Sequence, residues 1–227
     1  MSASIVVISG GLGTPSSSSL LGGQLGRSVN EQLASSGLEA DVQLVELREY
    51  AADITNNMLT GFAAPALQQV IDAVAAADVL VAVSPVFTAS VSGLFKSFLD
   101  ILDPKTLESK IVILAATAGT QRHQLVIDYA MRPIFGYLRA QVMPTTVFAA
   151  SEDFAGQGLS GTLEQRVQRA AREAALALGA TAPQLGAKQD LGDTRSITPS
   201  VSEFADPNDS MSSLPFEALL ASVQAGR

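Results

Sequence analysis

Three stretches of small and hydroxylated residues carry the chemistry this chain can offer. They are Ser9–Leu21 (SGGLGTPSSSSLL), Ser84–Gly93 (SPVFTASVSG) and Thr117–His123 (TAGTQRH). In the first, glycines let the backbone approach a ligand, and the hydroxyls of Ser16, Ser17, Ser18 and Ser19 can donate to an anion. A helix beginning there adds unpaired N–H groups and the positive end of its dipole. This combination suits a monophosphate. It is not a nucleotide P-loop, because no Gly-Lys-Ser/Thr follows. It is a poor dinucleotide fingerprint as well. Gly11 and Gly13 fit, but Ser16 replaces the third glycine and no acidic residue stands about 20 positions on. The bland alternative is a turn with a serine helix cap.

In the second stretch, Ser84-Pro85 ends the apolar run Asp78–Val83, since proline has no N–H and a fixed φ. After the small loop Thr88–Gly93, Leu94, Phe95, Phe98, Leu99, Ile101 and Leu102 recur at helical spacing, with Lys96 and Asp100 off the stripe. Strand, tight loop and amphipathic helix together deliver backbone N–H groups to a ligand at the carboxyl edge of a sheet. Common punctuation with a core Phe87 is the alternative. Ala89–Gly93 does not complete G-x-S-x-G, which disfavours a serine hydrolase.

His123 closes the third stretch and is the only histidine. No carboxylate is placed by sequence to make it a catalytic base. With no cysteine, thiolate metal sites, Fe–S clusters and disulfides are excluded, and a multi-histidine site fails on count. Fourteen basic against 22 acidic residues give a net charge of −8, which argues against a nucleic-acid partner. No apolar segment reaches the roughly 18 residues of a membrane span. No secretory leader is visible, and a cytoplasmic protein is expected. The mean hydropathy of +0.28 is high for such a chain, and a subunit interface would absorb the excess apolar surface.

Five apolar runs position these loops: Ser4–Ser9, Asp41–Leu47, Val79–Val83, Lys110–Ala116 and Met143–Ala149. They are continuous rather than alternating, as in parallel strands buried on both faces. Helices are expected from Leu20 to about Ser36, from Pro65 to Ala76, from Leu94 to Leu102, from Gln124 to Gln141 and from Thr162 to Leu178. Arg48–Ala64 reads as an irregular connection. Strands alternating with helices give an α/β fold, and the strand count favours a doubly wound five-stranded parallel sheet in order 2-1-3-4-5 with helices on both faces. That order reverses between the first and third strands and makes the three loops neighbours. Residues 1–184 form this domain. Residues 185–227, rich in Ser, Asp and Pro, read as a polar, flexible tail, in which PFEALLASV is the one helical segment.

Pro133 lies inside the apolar pattern VIDYAMRPIFGYL. It cannot donate to the carbonyl of Tyr129, so the helix either kinks or opens a π-bulge around Tyr129. Apolar residues cover most of this helix's circumference, which fits burial against both the sheet and a second subunit.

At this point a family resemblance emerges. SPVFTASVSGLFKSFLD resembles the flavin-loop pattern P-x-Y-x-x-S-x-x-G-x-L-K-x-x-L-D of the NADPH-dependent FMN reductases, with Pro85, Ser90, Gly93, Lys96, Leu99 and Asp100 in place. TAGTQRHQLVIDYAMRPIFGYLRAQ and the first loop resemble the alkanesulfonate monooxygenase reductase group. The whole resembles an actinobacterial branch partnered with luciferase-like monooxygenases. The resemblance covers about residues 1–180. It implies a flavodoxin-like fold, a homodimer or homotetramer, and FMN with NADPH or NADH. The FMN phosphate would sit against Ser9, Thr14 and Ser16–Ser19. The isoalloxazine would lie over Pro85, Val86, Phe87, Thr88, Ala89 and Ser90, with Thr117, Ala118, Gly119 and Thr120 along its other edge. His123 and Tyr129 complete the implied set, Tyr129 in a π-helical insertion. Two departures stand out: Phe87 replaces the usual Tyr, and the first loop lacks the Arg of G-S-x-R. The implied activity is hydride transfer from NAD(P)H to FMN, supplying a partner flavin-dependent monooxygenase. A quinone or azo reductase on bound FMN and a flavodoxin-like electron carrier are the alternatives.

Overall fold

Ile5, Val6, Val7 and Ile8 are almost wholly buried in the middle of β1 (Ala3–Ser9). This happens because both faces of that strand are covered. The computed structural model describes residues 2–154 and 161–181. After β1 come α1 (Ser17–Ser35), β2 (Ala40–Glu46), a 3-10 turn (Leu47–Tyr50), α2 (Ala51–Thr60) and α3 (Pro65–Ala76). Then follow β3 (Val79–Phe87), β4 (Ser90–Val91), α4 (Gly93–Asp100) and β5 (Ile111–Ala118). A π-helical segment (Ile127–Met131) runs into α5 (Arg132–Tyr137), and β6 (Gln141–Val142), β7 (Val147–Ala150) and α6 (Gly161–Thr181) complete the order.

The sheet runs β2-β1-β3-β5-β6, with β7 also paired to β5 and β4 paired to β3. All pairings are parallel except β3 with β4. Alternate residues of each strand face opposite layers. Val6, Ile8, Leu80, Ala82, Val112 and Leu114 pack with Val70 and Val74 of α3, Phe95 and Phe98 of α4, and Phe135 of α5. Ile5, Val7, Val79, Val81 and Ile113 pack with Leu21, Leu25, Val29 and Leu33 of α1 and with Leu163 and Val167 of α6. Helices therefore cover both faces. α1 lies close on the sheet because Gly22 has no side chain: a Cβ there would sit 2.7 Å from Cγ1 of Val7.

The parallel α/β architecture is as expected, but the sheet has seven strands rather than five. The expected fifth strand, Met143–Ala149, is reduced to β7; the separate two-residue β6 lies before it, and Pro144, which cannot donate to a ladder, lies between the two. β3 runs through Pro85 to Phe87 instead of stopping at Val83, and turns back as the hairpin strand β4. Beyond Val83 it no longer pairs with β1, and proline is tolerated on such a half-paired stretch. Arg48–Ala64 is not irregular; it contains α2, capped by Gly61 at φ 79°, whose N–H reaches the Asn57 carbonyl at 2.8 Å. The fourth helix is shorter than its apolar pattern. It holds the π-segment, with the Arg132 N–H donating five residues back to the Ile127 carbonyl. The tail of residues 185–227, and the boundary expected at 184, lie outside the described residues.

Candidate functional site

β1, β3 and β5 end side by side, and the segments that leave them enclose a cleft of about 270 Å³. From the first loop it is lined by Gly11, Leu12, Gly13, Pro15 and Ser16–Ser18. Pro85, Val86 and Phe87 of β3 line it too, with Thr117, Ala118 and Gly119 at the end of β5. Ser151 and Phe154, in a 3-10 turn after β7, complete the lining.

The first loop is folded tightly onto the helix it precedes. Ser16 is the N-cap of α1, its hydroxyl accepting the Ser19 N–H at 3.1 Å. Gly11 lies so close that a Cβ would come within 2.1 Å of Ser16 Oγ. The N–H groups of Ser17 and Ser18 belong to the first turn, where no intrahelical acceptor exists. α1 is 19 residues long and has no acidic side chain in that turn. The cleft thus reaches the positive pole of a long helix, beside a glycine whose missing side chain lets the loop close onto the Ser16 hydroxyl. A phosphate fits that chemistry.

The hydroxyls expected around the phosphate divide into two groups. Ser16, Ser17 and Ser18 line the cleft. Ser9 and Ser19 do not: the buried Ser9 Oγ lies 3.0 Å from Ser19 Oγ, which donates to Glu46 Oε1 at 2.5 Å. Thr14 is turned to Arg48, whose Nη1 donates to the Thr14 hydroxyl and, at 3.0 Å, to the Gly13 carbonyl. Arg48 Nη2 also donates to Glu46 Oε2 at 2.6 Å. The Ser19 hydroxyl foremost, and then the Arg48 guanidinium, hold the Glu46 carboxyl below the ordinary carboxylate range against the opposing effect of burial.

Two buried bonds tie the loops together. Ser18 Oγ lies 2.7 Å from Thr117 Oγ1, joining the first loop to the third. Ser92 Oγ donates to the Gly10 carbonyl at 3.2 Å and accepts the Phe95 N–H at 3.1 Å, joining the first loop to the start of α4. Ser84 Oγ in turn accepts the Ser92 N–H at 2.9 Å. At the rim, Phe87 pairs with Ser90 across a turn in which Thr88 and Ala89 have φ of 50° and 60°. Asp153 receives Gln121 Nε2 and the Ala150 N–H, each at 2.9 Å, which fixes the third loop against the turn that carries Ser151 and Phe154.

Of the sequence-expected residues, the cleft gathers Ser16–Ser18, Pro85–Phe87 and Thr117–Gly119. Ser9, Thr14 and Ser19 support it from behind. Thr88, Ala89, Ser90, Thr120 and His123 lie outside its lining, and so does Tyr129, which is 79% exposed on the π-segment. Sequence reasoning missed Leu12, Ser151 and Phe154, which carry no motif. It also missed Arg48, which its local pattern assigned to an irregular connection.

A doubly wound parallel sheet with a cleft at the carboxyl ends of its central strands, lined on one side by a helix N-terminus, defines a flavodoxin-like α/β protein. Residues 3–155 match the family model for NADPH-dependent FMN reductase, and the chain belongs to that family. It is similar to the FMN reductase (NADPH) of Pseudomonas aeruginosa, 35% identical over 176 residues covering 77% of this chain and 92% of that one. The NADH-dependent FMN reductase SfnF of Pseudomonas putida is 35% identical over 150 residues, 66% of this chain and 78% of the relative. Among solved structures, an oxidoreductase from Corynebacterium diphtheriae gives a TM-score of 0.75 at 41% identity, covering 79% of this chain and 98% of that one. The apo form of the NADH:FMN oxidoreductase EMOB gives 0.67 at 26% identity, covering 78% and 90%. The chain is therefore an oxidoreductase of the FMN reductase kind, working with FMN and NADPH or NADH.

Proposed function

We propose that the cleft holds FMN with its phosphate at the start of α1 and its ring system between Pro85–Phe87 and Thr117–Gly119. The observation that carries this reading is the pair of buried bonds, Ser18 to Thr117 and Ser92 to Gly10, that ties three loops together around one cleft by the protein's own contacts. Such preorganisation lowers the cost of orienting the reactants. Bound FMN supplies the hydride acceptor, and a reduced nicotinamide the donor. The chain's own task is to bind, align and exclude water. The N–H groups of Ser17 and Ser18 face the phosphate, and Pro85, Val86, Ala118 and Gly119 present apolar or backbone surface to a flat ring. Phe87, 43% exposed at the mouth, offers an edge for a stacked nicotinamide. None of the described residues lining the cleft is an ionisable acid or base, which matches a hydride step needing no side-chain proton.

The reading extends to FMN as an exchangeable substrate, delivered reduced to a flavin-dependent monooxygenase in the cytoplasm. No described helix is long and apolar enough to cross a membrane. A homodimer or homotetramer is supported by Tyr137, 80% exposed beside an apolar groove of about 540 Å³ between α4 and α5 lined by Leu99, Leu102, Pro133 and Ile134.

The test is direct. The purified protein is titrated with FMN by flavin fluorescence, and NADH and NADPH oxidation are followed with and without added FMN. Saturable binding with FMN-dependent oxidation is expected. Protein that does neither ends the proposal. Light scattering reads the oligomer, and a monomer at micromolar concentration would remove that part alone.

A further inference from the structure

The parallel register of β1 and β2 sets Ser9 opposite Glu46, so the two strands deliver their exits to the same place. One exit is the phosphate loop. The other, two residues past Glu46, is Arg48. Its guanidinium bridges Gly13 and Thr14 on one side and Glu46 on the other. The second oxygen of Glu46 takes the Ser19 hydroxyl at 2.5 Å. One ion pair thus spans the loop from Gly13 to the first turn of α1. The bonds of Glu46 to Arg48 and Ser19 are partly buried, and those of Arg48 to Gly13 and Thr14 lie at the surface.

Among the described residues that line the cleft, none is basic. A phosphate there depends on backbone N–H groups and hydroxyls, whose strength depends on their being held in place. Glu46 offsets the charge of Arg48, so what Arg48 contributes is geometry. Only a planar fork with several fixed donors can reach the Gly13 carbonyl, the Thr14 hydroxyl and Glu46 together.

We propose that Arg48 is the positioning residue of the phosphate cradle: from the exit of β2 it fixes the loop 11–16 so that the start of α1 receives the phosphate of FMN. This rests on the FMN reading above.

The experiment compares dissociation constants of FMN and riboflavin, which differ only in the phosphate, for wild-type protein, Arg48→Ala, Arg48→Lys and Glu46→Gln. Apo thermal midpoints check that each variant folds. Arg48→Ala is expected to weaken FMN binding about tenfold or more and riboflavin binding by less than about twofold. Arg48→Lys keeps the charge but not the fork, and is expected to recover only a minor part of the loss. Glu46→Gln is expected to fall between. Equal losses for both flavins, no loss for FMN, or full recovery in Arg48→Lys would each overturn the proposal. So would a change confined to the KM for NADPH. If Arg48→Ala does not fold, Arg48→Lys and Glu46→Gln decide by the same ratio. Wild-type protein that binds neither flavin defeats the functional reading itself, a result separate from any difference among variants.

Discussion

The hydroxyl of Ser18 lies 2.7 Å from that of Thr117, 99 positions further along the chain, and both are buried. This bond joins the first turn of α1 to the end of β5, two of the segments that line the cleft. Removing either partner leaves the other hydroxyl buried without its match, which costs about 1–3 kcal/mol. Ser18→Ala and Thr117→Val are each expected to destabilise the protein by that order. The double variant is expected to lose less than the sum, because it leaves no orphan. Urea midpoints for the four proteins give the coupling. Strict additivity would mean that the two groups do not interact.

The hairpin at the rim carries a second, separable feature. Thr88 and Ala89 both have positive φ, the geometry of a two-residue turn that favours Asn-Gly. Side chains there cost roughly 1 kcal/mol each relative to glycine. Ala89→Gly is expected to raise stability by about 0.5–1 kcal/mol, since the backbone strain released exceeds the entropy that glycine adds to the unfolded chain. The thermal midpoint reads this directly, and a fall in midpoint would show that the turn is not strained in solution.

How far these features were legible in sequence depends on range. Ile5–Ile8 and Ile111–Leu114 announced buried parallel strands by composition alone, and the small-residue loops after them marked the slot. Pro133 announced a break in the helix, either a kink or a π-bulge, because a missing N–H is a local fact, and the structure takes the π form. The fifth strand reads as starting at Met143 because apolar residues lie on both sides of Pro144, and only the pairing with β5 shows that the ladder resumes at Val147. α2 was missed because Ile54 is its sole wholly buried residue, leaving too little apolar periodicity to read. Arg48 was illegible for a different reason. Its place beside the first loop is set by the register of β1 on β2, and nothing within a dozen residues of it states that register.

Glu46 makes stability depend on pH in a definite sense. Its folded carboxyl sits below the ordinary value of 4.5, chiefly through the Ser19 hydroxyl. A depressed carboxylate contributes stability above its unfolded value and loses it as pH falls through the folded one. Wild-type protein is therefore expected to lose this contribution below about pH 4.5. Glu46→Gln is expected to be less stable than wild type near neutrality and to converge with it in acid. Urea midpoints across that range test the sign. A constant gap between the two proteins at every pH would show that the ionisation of Glu46 is not what stabilises the loop.

Gly11 is where the phosphate loop tolerates least change. A Cβ at this position would lie 2.1 Å from Ser16 Oγ and 3.2 Å from Ser18 Cβ. The Ser16 hydroxyl would have to rotate away, and the Ser19 N–H would lose its cap, at a cost of about 1 kcal/mol. The added methyl would also press on Ser16 and Ser18, which line the part of the cleft proposed for the phosphate of FMN. Gly11→Ala is thus expected to lower stability by roughly that cap alone, yet to weaken FMN binding about tenfold or more. Ser16→Ala separates the two effects, since it removes the cap and adds no bulk. It is expected to match Gly11→Ala in urea midpoint and to lose less of its affinity for FMN than Gly11→Ala does. Equal loss of FMN binding in both variants would place the cause in the cap itself, and the space beside Gly11 would then hold no phosphate.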